Sequence, residues 1–304
     1  MTLCKVVKEL NFYLPDFERL YGLNIETIRL LNNHPEYFIG NINICALYGC
    51  FPGQIWNGGR AYFGDMKYKD IEKIIHRYNE LNIPIRFTYT NCLLEKQHLL
   101  DEYCNTITKI ASESNTVVNE VLCNSPILED YLREKYPNLK YILSTTRCER
   151  DIAKINEYSE QYYLVVMDYR DNLNTEFLSQ IEHPEKIEIL LNPICRLECQ
   201  TRKHHYEFVS QKQLGIIPEE SRYKLCKCTK EHMMNSYVST QFIKDYYIPN
   251  GFINFKLEGR AYQSQLVANS YVRYMIKPEY QSEVYKEIIM TQEEYEPHGK
   301  YTDG

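Results

Sequence analysis

The stretch LLNPICRLECQTRKHHYEF, at residues 190–208, concentrates residue types that bind metals or act as nucleophiles. Three residues separate Cys195 from Cys199, and His204 and His205 follow shortly afterwards. Two thiolates at this spacing can reach one centre if the loop that carries them makes a turn. The stretch therefore predicts either a metal centre or an activated thiol.

A second pair of cysteines, in YKLCKC, belongs to the same part of the chain. Four thiolates are the ligand set of a [4Fe–4S] cluster and also of a tetrahedral zinc site, and the spacing does not distinguish them. Free thiols are the third interpretation. The predicted ligands of a cluster, or alternatively of zinc, are Cys195, Cys199, Cys226 and Cys228.

The last two predicted ligands, Cys226 and Cys228, are separated by one residue. Both reach one centre only if the backbone between them is extended. If one of them is a spectator, Cys123, another cysteine or His205 is the alternative ligand.

A nucleophilic interpretation pairs one cysteine with His204 or His205 and uses Asn192 or Asp168 to orient the histidine. Basic neighbours lower the pKa of a thiol, which favours this interpretation. Signatures of cysteine proteases are absent, and two close cysteines are less typical of a lone nucleophile. The basic residues concerned are Arg196, Arg202 and Lys203.

The segment FKLEGRAYQSQLVANSYVRYM, at residues 255–275, contains the second candidate group. Lys256, Glu258 and Arg260 alternate, so their side chains point to one side of an extended chain. Arg260 can clamp a carboxylate or phosphate with two hydrogen bonds. An internal Lys–Glu–Arg network is the structural alternative. The predicted catalytic residues are Arg260, Lys256, Glu258, Asn192 and His205.

Short apolar runs alternate with amphipathic stretches, a pattern typical of repeated strand–helix units. The runs are apolar on both faces, as in parallel strands that are covered on both sides. Seven strands are recognisable, and an eighth is hidden in the pattern. Together they predict an α/β fold, a (β/α)8 TIM-type barrel, with an open doubly wound sheet as the alternative. The predicted strands are residues 43–49, 84–90, 116–122, 140–146, 162–168, 187–193 and 252–258.

The hidden strand is expected in NSYVSTQFI, at residues 235–243, which leaves a long loop after strand six. We expect three parts in the chain. An N-terminal helical extension occupies residues 1–40, the TIM-type barrel domain residues 41–280, and a polar C-terminal tail residues 281–304. Both candidate groups follow predicted strands, and the carboxyl ends of barrel strands are where active sites form.

Composition limits the function classes. The 304 residues are 44% hydrophobic, which suffices for a full core. A formal charge of −6 does not favour a nucleic acid partner. No leader sequence and no membrane-spanning run is recognisable, so we expect a cytoplasmic protein without a membrane partner. Scattered cysteines in such a chain indicate buried thiols rather than disulfides, in particular at Cys45, Cys50, Cys92, Cys104, Cys123 and Cys148.

The two candidate segments together resemble the collagenase-like peptidase family, peptidase family U-32. The resemblance extends over about residues 40–280 and is strongest in FKLEGRAYQS and in LLNPICRLECQTRKHHYEF. It implies a barrel related to the one inferred above and a peptidase activity. Several relatives of this family instead hold a [4Fe–4S] cluster on four cysteines and take part in oxygen-independent hydroxylation.

We therefore expect an iron–sulfur-dependent enzyme that binds a small anionic or modified substrate at the carboxyl ends of its barrel strands, through Arg260, Lys256 and Asn192. The first alternative is a collagenase-like peptidase or other hydrolase that uses a metal-activated water or a cysteine. The second is a zinc-stabilised barrel that has a binding role towards a protein partner.

Overall fold

The computed structural model describes residues 9–226 and 236–302. Eight parallel strands close into a barrel, and a two-stranded antiparallel ribbon lies beside it. The strands, numbered along the chain, are β1 (Leu10–Pro15), β2 (Ile42–Gly49), β3 (Tyr62–Phe63), β4 (Ile85–Tyr89), β5 (Glu120–Cys123), β6 (Lys140–Leu143), β7 (Leu164–Val166), β8 (Ile187–Leu190), β9 (Asn254–Lys256) and β10 (Lys300–Tyr301).

Strands β3 and β10 form the ribbon, and the other eight pair in chain order, with β9 closing on β1. Helices follow most of these strands, which confirms the predicted (β/α)8 barrel of the α/β class. The main α-helices are α1 (Tyr21–Asn33), α2 (Tyr68–Glu80), α3 (Glu102–Ser112), α4 (Pro126–Lys135), α5 (Ile152–Gln161), α6 (Thr175–Leu178), α7 (Arg202–Gln213), α8 (Ser264–Met275) and α9 (Gln281–Glu293).

The barrel has two apolar layers because successive strand residues face opposite sides. Most buried apolar side chains lie between the strands and the outer helices, where α2 contributes Ile71, Ile75 and Tyr78. A smaller cluster fills the barrel interior and includes Tyr13 and Ile142. Strands that are buried on both faces explain why the sequence shows continuous apolar runs rather than alternation.

The position predicted for the hidden strand is wrong. The first barrel strand is β1, in the segment predicted as a helical extension, and it pairs with β2 and β9. Residues 240–247 are instead helical, because Ile243 and Tyr247 are buried one helical turn apart. The long loop thus follows the seventh barrel strand, β8, and not strand six.

Within the segment predicted as a C-terminal tail at residues 281–304, helix α9 packs on the barrel domain. Helix α9 lies against α1, where Gly22 permits close contact: a Cβ atom there would lie 2.5 Å from the Thr291 carbonyl oxygen. The Gln292 side chain accepts a hydrogen bond from Leu23 N (2.9 Å) and donates one to the Arg19 carbonyl (3.0 Å). In the described ranges, no helix has the length and apolar character needed to cross a bilayer.

Candidate active site

A cavity of about 80 Å³ opens at the carboxyl ends of the barrel strands. Four cationic side chains line it, together with one carboxylate, several hydroxyl groups and the thiol-bearing residue Cys195. We call this cavity the mouth. Its charged lining residues are Arg60, Arg202, Lys256, Arg260 and Glu258.

The alternating residues of the last strand all reach the mouth, as the sequence predicts. Strand β9 ends at Lys256, and Glu258 and Arg260 continue along the same side of the chain. A run of alternating polar residues directly after a barrel strand therefore supplies three of the five charged groups of the mouth.

The Arg260 guanidinium is buried and is held by neutral oxygen atoms. Nη1 donates to Asn57 Oδ1 (2.9 Å) and to Thr88 Oγ1 (2.8 Å), and Nη2 donates to the Gly58 carbonyl (2.8 Å). The residue is 8% exposed. Among the described residues, no carboxylate lies within 4.0 Å of this guanidinium. Its orientation is thus fixed while its charge is not neutralised by an ion pair.

Lys256 connects the mouth to an ion network inside the barrel. Its Nζ lies 3.2 Å from Glu188 Oε1 and 3.9 Å from the centre of the Tyr48 ring. Glu188 also pairs with Arg86, which in turn donates to Glu120 (2.6 Å). Burial lowers the pKa of Lys256 to about 8, although Glu188 acts to raise it. A fraction of the amine is therefore neutral near pH 8 and can accept a proton.

Glu258 is the carboxylate of the mouth, and it forms an ion pair. Its Oε1 lies 2.7 Å from Arg60 Nη2, and its Oε2 accepts a hydrogen bond from Ile194 N (3.3 Å). Arg60 also donates to its neighbour, the Gly59 carbonyl (2.7 Å). The pair joins the loop after β2 to the end of β9 and neutralises one of the four cations.

Asn192 does not line the mouth but holds the chain that does. Its Nδ2 donates to the Glu258 carbonyl (2.9 Å) and to Ser270 Oγ (3.1 Å), and its Oδ1 accepts from Glu258 N (2.6 Å). With both backbone groups of Glu258 bound, the side chain fixes the turn after β9. Its predicted catalytic role stays a prediction, and the geometry indicates a positioning one.

Helix α7 supplies Arg202, which an acidic partner holds at the mouth. Arg202 Nη1 lies 2.5 Å from Asp168 Oδ2, and Nη2 donates to Thr145 Oγ1 (2.8 Å). Asp168 also pairs with Arg170 at 2.8 Å. Burial alone would raise the pKa of Asp168, but the two arginines outweigh it and the pKa is lowered. Asp168 is therefore ionised and serves Arg202 rather than a histidine.

His205 lines the mouth from the same helix and is stacked on Tyr223, with ring centroids 4.9 Å apart. Burial, together with the charges of Arg60 and Arg202, lowers the pKa of His205 to about 4. In the part of the chain that the structure describes, its buried Nε2 atom has no hydrogen-bond partner. A neutral imidazole with an open ring nitrogen can accept a proton at neutral pH.

Comparison with known proteins agrees with this architecture. No family model matches the chain. Over 216 residues it is 23% identical to the uncharacterized protease MJ1657 of Methanocaldococcus jannaschii. That alignment covers 67% of this chain and 64% of the relative, so the chain spans just under two thirds of its length. The solved U32 peptidase Mk0906 matches with a TM-score of 0.50 at 14% identity, over 84% of this chain and 94% of that one.

These findings support the U32 collagenase-like family. The structural match shows the shared barrel fold.

Two cations of the mouth were missed as site residues. Arg60 lies in the loop after β2, where the GGR sequence is the signal that could have indicated it. Gly58 permits that loop to pack on β4, since a Cβ atom there would lie 2.4 Å from the Thr90 carbonyl oxygen. Arg202 belongs to the stretch that carries the family resemblance, but the only role predicted for it was to lower a thiol pKa.

The four predicted metal ligands occupy different environments. Cys195 lines the mouth, Cys199 is buried with its carbonyl bound by Arg170 Nη1 (3.1 Å), and Cys226 is exposed. Cys228 lies outside the described residues. Across residues 9–226 and 236–302, no three histidine, cysteine or acidic side chains come together to hold a metal ion. The cluster and its zinc alternative therefore stay predictions.

The six cysteines predicted as buried thiols outside this group are all free, and three of them are buried. Cys50, Cys104 and Cys123 are buried. Cys45, Cys92 and Cys148 are half-buried.

Proposed function

We propose that this protein is a hydrolytic enzyme of the U32 peptidase type that binds the carboxylate of a small anionic substrate in the mouth. The observation that supports the proposal is the buried Arg260 guanidinium, which lines the mouth and lacks a carboxylate partner among the described residues. Buried charges in proteins are normally paired, because an unpaired one is costly to desolvate. A substrate carboxylate would supply the missing charge.

The neighbourhood of Arg260 supports an external anion. Asp16 is close enough to interact with Arg260 electrostatically, but burial and the charge of Glu18 raise the pKa of Asp16 to about 7. At neutral pH this carboxyl is only partly ionised and neutralises Arg260 incompletely. The mouth, of about 80 Å³, has room for a carboxylate-sized group, since one water occupies about 30 Å³ of liquid.

Two groups of the mouth can transfer protons in a hydrolysis. Lys256, in its neutral form, or His205 would accept a proton from a water that attacks the scissile carbonyl carbon. The same group would return that proton to the leaving amine as the carbon–nitrogen bond breaks. Arg202 and Arg260 would stabilise the negative charge that develops on the carbonyl oxygen. All these residues line the mouth, which is why peptide-bond hydrolysis is the reaction proposed.

A peptidase assay tests this proposal. The purified protein is incubated with gelatin and with a mixture of short peptides, and new amino groups are quantified. We expect turnover in the wild type and a loss of at least about 100-fold in kcat/KM for Arg260→Gln, with partial retention in Arg260→Lys, which keeps the charge. Arg77→Gln, on the outer surface of α2, removes the same charge as a control. Equal turnover in the Arg260 variants and the wild type would contradict the proposal.

Iron–sulfur-dependent, hydroxylation-type chemistry is the second candidate function. One observation favours it: Cys195 lines the mouth, so a centre held by this residue would face the substrate. The bound cluster would supply the redox chemistry. The test is iron and sulfide analysis of protein purified without oxygen, together with its visible spectrum. Stoichiometric iron that is lost in Cys195→Ala supports this function. Iron-free protein, or iron retained in the variant, contradicts it.

A further inference from the structure

A second cavity, of about 260 Å³, adjoins the mouth. Thr146 and Tyr206 line both cavities, so the two are neighbours across these side chains. Small-molecule sites generally enclose roughly 300–1,000 Å³, which is far more than the mouth alone offers. A substrate of ordinary size that places one group in the mouth must extend beyond it, and the second cavity is the adjoining space.

The second cavity is built around the beginning of helix α4. Ser125 precedes the helix, Pro126 is its first residue, and both line the cavity. The first backbone hydrogen bond of this turn runs from Glu129 N to the Ser125 carbonyl (3.0 Å). The N–H groups of Ile127 and Leu128 lie before that bond, and the Ser125 side chain does not cap them. Uncapped N–H groups and the helix dipole favour an anion at this position.

The Ser125 hydroxyl is a second, independent indication of a ligand. The residue is 6% exposed, and its side chain has no hydrogen-bond partner among the described residues. A hydroxyl on a residue this largely buried ordinarily makes a hydrogen bond in a folded protein. Since Ser125 lines the cavity, a bound group can provide that partner.

Two cations complete the lining. Arg147 donates one hydrogen bond from Nη1, to the Asn124 carbonyl (2.9 Å), which holds the guanidinium at the cavity. Lys203 is exposed, and neither cation has a carboxylate within 4.0 Å in the described part of the chain. Glu207 also lines the cavity, so two positive charges face one negative charge. This net positive charge favours an anion, although the net positive charge of the mouth is larger.

We propose that this second cavity binds a phosphoryl group of the substrate, held by Ser125, Arg147 and the first turn of α4. A phosphoryl group has three terminal oxygens, which suits donors of three kinds that approach from different sides. A single carboxylate would leave much of the cavity unfilled. The proposal rests on the proposed function in one respect only: it assumes that the group in the mouth and the phosphoryl group belong to one molecule.

Binding of inorganic phosphate to the full chain tests the site without any need for catalysis. Titrations followed by ³¹P NMR, at constant ionic strength, compare the wild type with Arg147→Gln and Ser125→Ala. We expect saturable binding in the wild type, weakened about tenfold by Arg147→Gln and several-fold by Ser125→Ala. Arg77→Gln, which removes one positive charge from an outer helix, should bind as the wild type does. In a parallel titration with acetate, the Arg147→Gln variant should have the same affinity for acetate as the wild type.

Several results would overturn the site. These are no saturable phosphate binding in the wild type, equal phosphate affinity in Arg147→Gln and wild type, and the same loss of phosphate affinity in Arg77→Gln. Acetate binding that depends on Arg147 while phosphate binding does not is another. Loss of phosphate binding in Arg60→Gln with retention in Arg147→Gln would place the anion in the mouth and also overturn it. Failure of the proposed hydrolysis is a separate result, because peptide turnover and phosphate affinity are measured independently.

Discussion

Replacing Glu188 with glutamine should lower the pKa of Lys256 below its value of about 8. Glu188 Oε1 lies 3.2 Å from Lys256 Nζ, and the Glu188 carboxylate stabilises the protonated amine. At this distance two unit charges attract by about 5 kcal/mol at an effective dielectric constant of about 20. Glu188 also pairs with Arg86, which compensates part of its charge and reduces its effect on the pKa of Lys256. We therefore expect a decrease of roughly one to three pKa units, which corresponds to about 1.4–4 kcal/mol.

The assay is the pH dependence of the lysine Cε resonance in protein that contains ¹³C-labelled lysine. The resonance is assigned by its absence in Lys256→Met. Glu120→Gln is the matched control, because Glu120 binds Arg86 (2.6 Å) in the same network but forms no ion pair with Lys256. We expect the pKa of Lys256 to fall clearly more in Glu188→Gln than in the control. An unchanged or raised pKa in Glu188→Gln would refute the assignment of Lys256 as an amine held by this carboxylate.

Two further predictions concern residues that surround the mouth. Asn192→Ala removes three hydrogen bonds and leaves both backbone groups of Glu258 unpaired, so urea unfolding should show a loss of roughly 3 kcal/mol; a loss below about 1 kcal/mol would contradict the role of Asn192 in holding the turn. Because burial raises the pKa of Asp16 to about 7, the folded protein binds this proton more tightly than the unfolded chain, and its contribution to stability is lost as the pH rises from about 4 through 7. Asp16→Asn should therefore be more stable than the wild type at pH 8 by roughly 1–3 kcal/mol but not at pH 4, and an equal difference at both values of pH would be inconsistent with this titration.

Much of the barrel is predictable because its strands are buried on both faces and read as apolar runs. Strand β1 escaped because LNFYLP ends in proline, and because Asn11, which pairs with Asn254, interrupts its apolar character. The third predicted strand begins too early, since the Asn119 side chain turns inward to bind Ile85 N (2.8 Å) and β5 begins only at Glu120. Such tertiary contacts leave no periodic signal in the sequence.

The mouth was predictable where its residues are neighbours in sequence. Lys256, Glu258 and Arg260 alternate after one strand, so that local geometry alone places them together. Arg60 reaches the mouth from the loop after β2 and Arg202 from the beginning of α7, and only barrel closure brings them close. The convergence of the predicted cysteine ligands is likewise a property of the folded loop rather than of spacing.

The central claim is that the mouth receives a carboxylate next to Arg260. Isothermal titration of N-acetylglycine into the wild type and into Arg260→Gln and Arg260→Lys, at constant ionic strength, tests it most directly. Circular dichroism establishes that each variant is folded. The account predicts saturable binding by the wild type, at least about tenfold weaker binding by Arg260→Gln, and an intermediate affinity for Arg260→Lys. Absence of binding by the wild type, or equal affinity in all three folded proteins, would contradict it.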